Sequence, residues 1–280
     1  MSSEAIKKTQ AREFAIALTI AGSDSGGGAG IQADLKTFSA LGVYGASVIT
    51  AITAQNTLAI TDVFEIPVVT VDAQIKAVLE DLEVGAIKIG MLSSPEIIET
   101  VASAISAFDG PVVLDPVMVA KSGDALLQRN AIDSLQELLI PRATLITPNL
   151  PEAATLLNCE PADSDRVATE QGKALLASGA QAVLLKGGHA EGDICIDQLI
   201  TRDTSLSLSA ERIATRCTHG TGCTLSAAIA AQLARGQPLT QAVTSAHEYL
   251  QKAIREAERL QIGAGHGPVH HFHALWGHLK

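Results

Sequence analysis

The chain has 280 residues, 30 acidic against 20 basic side chains, a formal net charge of −10 and a pI of about 5.2. That balance argues against nucleic acid or an anionic membrane as partner, and a phosphate ligand would need local positive potential from helix N-termini, lysines or a metal. Hydrophobic residues make up 47% and aromatic residues only 3%, so the core must be Ala, Val, Ile and Leu, as in a parallel sheet covered by helices.

Residues 1–13 are polar and carry no apolar leader, so they read as a flexible tail ahead of a single domain over 14–280. Charged or turn residues interrupt every apolar run before membrane-spanning length, which predicts a cytoplasmic protein. The four cysteines fit no zinc spacing, and most of them are expected as buried, reduced thiols.

In chain order, Phe14 to Ile20 reads as a strand, Ala21 to Gly30 as a glycine-rich loop and Ile31 to Leu41 as a helix. Gly28-Ala-Gly30-Ile-Gln-Ala33 meets a relaxed dinucleotide fingerprint but lacks the acidic residue after a second strand. Tyr44 to Ile52 is a strand ending near Gln55, and alternating Ile60 to Ile66 predicts an antiparallel edge strand. Val71 to Leu82 is helical, Ala86 to Ile89 a strand, and Ser94-Pro95-Glu96 signals an N-cap and helix start. Pro111 to Leu114 and Ala143 to Ile146 are strands; between them a loop at Lys121 to Asp124 precedes a helix to about Leu139. A short helix at Glu152, a helix over Asp165 to Ser178 and a strand over Ala182 to Leu185 follow. Asp193 to Ile200 and Ser205 to Ile213 alternate and predict a hairpin. Helices over Thr224 to Leu233 and Leu239 to Leu260 lead to a histidine-rich tail, read as packed by Phe272, Leu275 and Trp276 rather than as a metal site. Strand and helix alternate throughout, which predicts parallel βαβ units.

Chemistry gathers at the expected carboxyl ends of strands: Asp24, Gln55, Met91, Asp115, Asn149 with Glu152, and Lys186. Asp115 and Glu152 are candidate Mg²⁺ residues, and Lys186 can reach a phosphate as a point charge. Thr218-His-Gly220-Thr221-Gly222-Cys223-Thr224 precedes an apolar helical run, so glycine freedom and a helix N-terminus combine into an anion site. A helix N-terminus is expected to lower the Cys223 thiol from its usual pKa of about 8.5. There is no Walker-type P-loop and no nucleophile elbow.

Eight stretches together resemble the ribokinase-like superfamily, and within it the bacterial hydroxymethylpyrimidine/phosphomethylpyrimidine kinases. They are Ala21–Thr37, Val48–Thr57, Lys88–Leu92, Val113–Met118, Leu145–Ala153, Leu184–His189, Thr218–Ala231 and Gly265–Ala274. Gly26 stands where that family usually has serine. The resemblance implies a three-layer α/β/α fold, a mostly parallel sheet with a few antiparallel edge strands, ATP as co-substrate, Mg²⁺ and a homodimer. It implies that Asp34 and Gln55 hydrogen-bond an aminopyrimidine ring, with Gly22, Met91 and Val117 lining the pocket. Asn149 and Glu152 match the N-x-x-E magnesium motif, with Asp115 alongside. Lys186 and Thr218 would meet the nucleotide, and Gly220, Thr221, Gly222 and Cys223 would form the anion hole, Cys223 as proton acceptor. The implied reaction phosphorylates the pyrimidine alcohol and then its monophosphate; a pyridoxal-type vitamin kinase is the alternative, and a non-catalytic ligand-binding relative a weaker one.

Overall fold

The computed structural model describes residues 14–118, 130–189 and 192–277. The expected tail at 1–13 and the loop Lys121 to Asp124 lie outside the described residues. The strands are β1 (Ile16–Asp24), β2 (Tyr44–Gln55), β3 (Ile60–Glu65), β4 (Ala86–Ile89), β5 (Val112–Leu114), β6 (Leu145–Ile146), β7 (Ala182–Leu185), β8 (Ile194–Thr201) and β9 (Ser205–Glu211). They form one sheet in the order β3-β2-β1-β4-β5-β6-β7-β8-β9. From β2 to β7 neighbours run parallel; β3 joins β2 antiparallel at one margin, and β8 and β9 extend the other as the predicted hairpin.

The helices are α1 (Gly30–Ala40), α2 (Val68–Asp81), α3 (Pro95–Ala104), α4 (Ala131–Ser134), α5 (Leu150–Leu157), α6 (Asp165–Ala177), α7 (Thr221–Ala234), α8 (Leu239–Arg255) and α9 (His273–Trp276). One sheet face buries Leu18, Ile20, Ile87 and Ile89 with Ile75 of α2, Ile98 of α3 and Leu175 of α6. The other buries Ala17, Val113 and Leu184 with Phe38 of α1, Ala227 of α7 and Ala246 of α8. Two covered faces make a three-layer α/β/α architecture, and they explain why the central strands are apolar without alternation. The alanine-rich α7 has its residues Thr224–Gln232 buried, because it lies between the sheet, α1 and α8.

Strand order reverses at β1: β2 lies on one side and β4 on the other. The loops leaving β1 and β4 therefore diverge and open a crevice at the carboxyl edge, the usual ligand position in such sheets.

Several boundaries differ from expectation. α7 starts at Thr221 rather than Thr224, which brings Gly222 and Cys223 into its first turn. The long final helix stops at Arg255, a short 3-10 turn follows, and Gln261 in the left-handed region (φ 49°) turns the chain away. Ser94 makes no side-chain cap; Pro95 and Glu96 carry that helix start. The helix ending at Leu139 is wide-wound over Leu135–Leu139. The cysteines are free, but Cys159 is exposed and the other three are half-buried rather than buried. In the tail Phe272 stacks on Trp276 at 5.2 Å, and among the described residues no group of three metal-binding side chains forms. Leu275 and Trp276 stay half-exposed; the tail is fixed instead through buried His270 and His271.

Candidate active site

Two glycine loops meet at the crevice. Asp24 ends β1, and its carboxylate accepts the N–H groups of Gly26 (2.7 Å), Gly28 (3.0 Å) and Ala29 (2.8 Å). It also lies 2.8 Å from His219 Nε2 in the second loop. Burial would raise the Asp24 carboxyl, but His219 and the loop amides more than offset it and hold it below its ordinary value. At Gly220 φ is +78°, and an added Cβ would stand 1.9 Å from the Gly28 carbonyl oxygen. Only glycine permits this backbone-to-backbone contact, which sets the first turns of α1 and α7 side by side.

The amides of Gly222 and Cys223 make no hydrogen bond among the described residues, while Thr224 N–H returns to the Gly220 carbonyl. With the α7 dipole behind them they form an anion cradle. The Cys223 thiol departs from expectation. Burial pushes it up to about 11; Lys88 opposes the shift, Asp34 and Asp115 add to it, and the Gly30 amide opposes it. Desolvation thus outweighs the helix N-terminus at this sulfur.

Across the crevice Lys186, at the end of β7, donates to Asp115 Oδ1 at 2.7 Å and stands 3.8 Å from Glu152 Oε2. Thr147 Oγ1 donates to the same Asp115 oxygen at 3.0 Å, whereas among the described residues Asp115 Oδ2 has only a long 3.5 Å contact from Ser226. Asn149 and Glu152 form a capping box on α5: each side chain accepts the other's backbone N–H at 2.8 Å. Burial lifts the Glu152 carboxyl to about 7; Lys186 opposes the shift and Asp115 reinforces it. Asp115 itself stays below its ordinary value, because Lys186 and Lys88 outweigh its burial.

Beneath the crevice lies a second ion pair. Register sets Thr19 of β1 beside Lys88 of β4, so both side chains leave the same sheet face. Asp34 of α1 accepts from Thr19 Oγ1 at 2.6 Å and from Lys88 Nζ at 2.9 Å, all through Oδ2. Both charged side chains have 0% exposure, and Asp34 Oδ1 has no partner among the described residues. Burial penalises the Lys88 ammonium, but the charges of Asp34, Cys223 and Asp115 outweigh that and keep it protonated. A buried pair with an orphaned acceptor forfeits about 1–3 kcal/mol at that atom alone.

One cavity of about 650 Å³ joins these parts. Gly22, Gln55, Met91, Val117, Asp115, Asn149, Glu152 and Lys186 all line it. Thr218 and the Gly220–Cys223 turn lie along it as well. Of the candidate site residues singled out in the sequence, Asp34 alone is not among the lining residues: it is fully buried, and its Oδ2 accepts from Thr19 and Lys88, so direct contact with a ring does not fit its position. Sequence reading passed over Lys88 and His219, which do line the cavity. A lysine inside the apolar strand Ala86–Ile89 was the available signal, since unpaired buried lysine is rare.

A pair of helix-start amides, a carboxylate–lysine cluster and one shared cavity at the carboxyl edge of a three-layer sheet are the arrangement of a ribokinase-like small-molecule kinase. The sequence model of the phosphomethylpyrimidine kinase family matches residues 24–270, and the chain belongs to that family. The hydroxymethylpyrimidine/phosphomethylpyrimidine kinase of Rhizobium meliloti is 57% identical over 94% of this chain and 98% of its own. Among solved structures, phosphomethylpyrimidine kinase from Clostridium difficile 630 is 44% identical, with a TM-score of 0.77 over 86% of this chain and 99% of its own. Pyridoxal kinase from Bacillus subtilis, solved as an ADP complex, is 40% identical, with a TM-score of 0.84 over 92% of this chain and 97% of its own.

Proposed function

We propose that this kinase phosphorylates 4-amino-5-hydroxymethyl-2-methylpyrimidine and then its monophosphate, using ATP and Mg²⁺, to supply the pyrimidine half of thiamine. The observation that carries the reading is one cavity lined by Gln55 and Met91, by Asp115, Glu152 and Lys186, and by Gly222 and Cys223, whose amides make no hydrogen bond among the described residues. The pyrimidine occupies the recess of Gly22, Gln55, Met91 and Val117. The transferred phosphoryl group lies over the amides, and Lys186, Asn149 and Thr218 meet the nucleotide. Phosphoryl transfer rests mainly on positioning and charge neutralisation, which such a cradle supplies.

The donor set fits Mg²⁺, which takes one or two carboxylates with waters and phosphate oxygens. Asp115 and Glu152 would hold it, Asp115 through the Oδ2 atom that has no short hydrogen bond. When bound, the ion would neutralise charge on the phosphates. The pyridoxal-kinase likeness in fold makes pyridoxal the informative competitor. Incubate the protein with ATP, Mg²⁺ and each alcohol, and resolve mono- from diphosphate products. Both pyrimidine phosphates should form; turnover of pyridoxal alone would overturn the assignment.

The same reading makes residues 14–280 one kinase domain, since both core clusters share one sheet. It also makes the protein a homodimer. Ile52 and Phe64 face each other across β2 and β3 at the sheet margin and are exposed there. Four free thiols accord with a reducing, cytoplasmic setting. No helix among the described residues is long and apolar enough to cross a membrane.

A further inference from the structure

The histidine-rich tail serves no step of the reaction as proposed, yet it is tied into the site from several sides. His266 N–H donates to the Thr57 carbonyl at 2.8 Å, just past the end of β2, and His219 N–H donates to the Gly267 carbonyl at 3.0 Å. His270 N–H donates to the Ala253 carbonyl of α8 at 3.0 Å, and Tyr249 Oη of α8 donates to the His271 carbonyl at 2.7 Å. These bonds deliver the His271 side chain to the first turn of α7. It is 4% exposed, and its Nε2 stands 3.1 Å from Oγ1 of Thr224, which is fully buried.

The direction of this contact follows from its protons. Thr224 Oγ1 lies 2.7 Å from the Gly220 carbonyl oxygen, which can only accept, so the hydroxyl proton is used there. A hydroxyl has no second proton to give, so His271 Nε2 carries the hydrogen and donates to Oγ1. Burial pushes the ring down to about 3, with Lys36, His270 and His219 adding to the shift, so at neutral pH it is an uncharged imidazole with that one N–H. The chain therefore runs from His271 through Thr224 to Gly220.

Gly220 is where the cradle is set. It caps α7 at φ 78°, and its carbonyl also takes the first helical bond, from Thr224 N–H at 2.8 Å. The Gly222 and Cys223 amides lie on the turn that this bond closes. A threonine hydroxyl returned to the carbonyl four residues earlier tends to bend a helix, so its rotamer at this place matters. A phenyl ring would fill the His271 site without a polar group to satisfy, so the buried N–H is there at a cost that packing alone does not require.

We propose that His271 is a positioning residue: through the Thr224 hydroxyl it holds the Gly220 carbonyl and so fixes the turn whose Gly222 and Cys223 amides receive the transferred phosphoryl group. This rests on the kinase reading above, in which both phosphorylations pass over the same amides, so both depend on His271 alike.

Wild-type protein is first assayed with ATP, Mg²⁺ and each pyrimidine acceptor. Failure there would overturn the kinase reading and this inference with it, whereas the variants test the inference alone. His271→Phe keeps a ring and removes the donor; Thr224→Val keeps the shape and removes the hydroxyl. Each, per mole of folded protein, should lower kcat on the order of 10-fold with both acceptors, with KM for either acceptor within about 2-fold, as for a small displacement of a preorganised group. The double variant should lose little more than either single one, because both break the same chain. His271→Gln places an amide N–H near the Nε2 position, and Thr224→Ser keeps the hydroxyl, so both should retain most of kcat. A role confined to packing predicts otherwise. Lower thermal midpoints with kcat unchanged, or losses that multiply in the double variant, would overturn the proposal. Should His271→Phe not fold, His271→Asn takes its place: its shorter amide matches Nδ1 rather than Nε2, so a kcat equal to that of His271→Gln would overturn the proposal and a lower one would support it.

Discussion

The two buried charge clusters of this site make an instructive contrast. Asp34 and Lys88 form a neutral pair with no exposure on either partner. Asp115, Glu152 and Lys186 carry two potential negative charges around one positive, and the lysine is 14% exposed to the cavity. The first cluster balances itself and stays fixed. The second is short of positive charge; burial lifts the Glu152 carboxyl to about 7, with Lys186 opposing the shift and the Asp115 charge adding to it. A deficit of that kind invites an added cation beside incoming phosphates, whereas a balanced pair provides a constant field. On the proposed reading, the second cluster lies on the phosphoryl-donor side of the site.

Breaking the donor cluster should have the largest effect. Lys186→Met leaves Asp115 and Glu152 facing each other without their shared cation. We expect kcat/KM to fall by about 10²–10³-fold, comparable to loss of a preorganised donor at a reacting oxygen. Removing one member of a buried ion cluster should also lower unfolding free energy by about 3–5 kcal/mol, read from urea melts. Gly220→Ala comes next. It forces a side chain into the left-handed region, at about 1–2 kcal/mol, and drives the two glycine loops apart at the Gly28 carbonyl. Activity with both acceptors should fall together, because the Gly222 and Cys223 amides move for both. A selective loss with one acceptor would show that the cradle serves the two steps differently.

Much of this was legible in the sequence. Strand order aside, the βαβ alternation, the antiparallel edge at β3 and the β8–β9 hairpin follow from apolar runs, alternation and turn residues. The carboxyl-edge residues were legible because parallel strands place their ends together. What stayed hidden was depth and pairing. Asp34 sits at a helical position that sequence cannot sort between solvent and core, and its partner Lys88 lies 54 positions away, joined to it only by the β1–β4 register. The Cys223 thiol shows the same limit. Its place near a helix N-terminus is local and readable, but the burial that pushes it up to about 11 comes from surrounding layers. The start of α7 at Thr221 was missed because Gly220 and Gly222 read as loop, although only Gly220 takes positive φ.

Glu152→Gln sharpens the contrast from the metal side. Gln keeps the capping box but removes a charge. The Mg²⁺ concentration for half-maximal rate should rise on the order of 10-fold. The pH dependence has a defined sign in metal-free protein. Glu152 titrates at about 7 when folded against an ordinary 4.5, so between those values the folded state holds a proton that the unfolded chain lacks. Its contribution to stability is then greatest below about 4.5 and is lost as pH rises through about 7. Thermal melts should show the variant gaining on wild type as pH rises over that window; parallel curves would mean that Lys186 already compensates Glu152 fully.

The smallest effect should come from Asn149→Ala, and it separates scaffold from ligand. Asn149 accepts the Glu152 N–H at 2.8 Å and closes one half of the cap on α5. Alanine at an N-cap typically costs about 1 kcal/mol, so a modest drop in thermal midpoint is expected. The backbone N–H at 149 remains for Glu152 Oε2, so the loss loosens the first turn of α5 that carries the carboxylate without removing that anchor. If Asn149 only orders the carboxylate, Mg²⁺ dependence should weaken while the KM for nucleotide holds. If Asn149 meets the nucleotide itself, that KM should rise at saturating Mg²⁺. A variant with wild-type Mg²⁺ titration and wild-type nucleotide KM would confine Asn149 to capping α5 and leave the donor side to Asp115, Glu152 and Lys186.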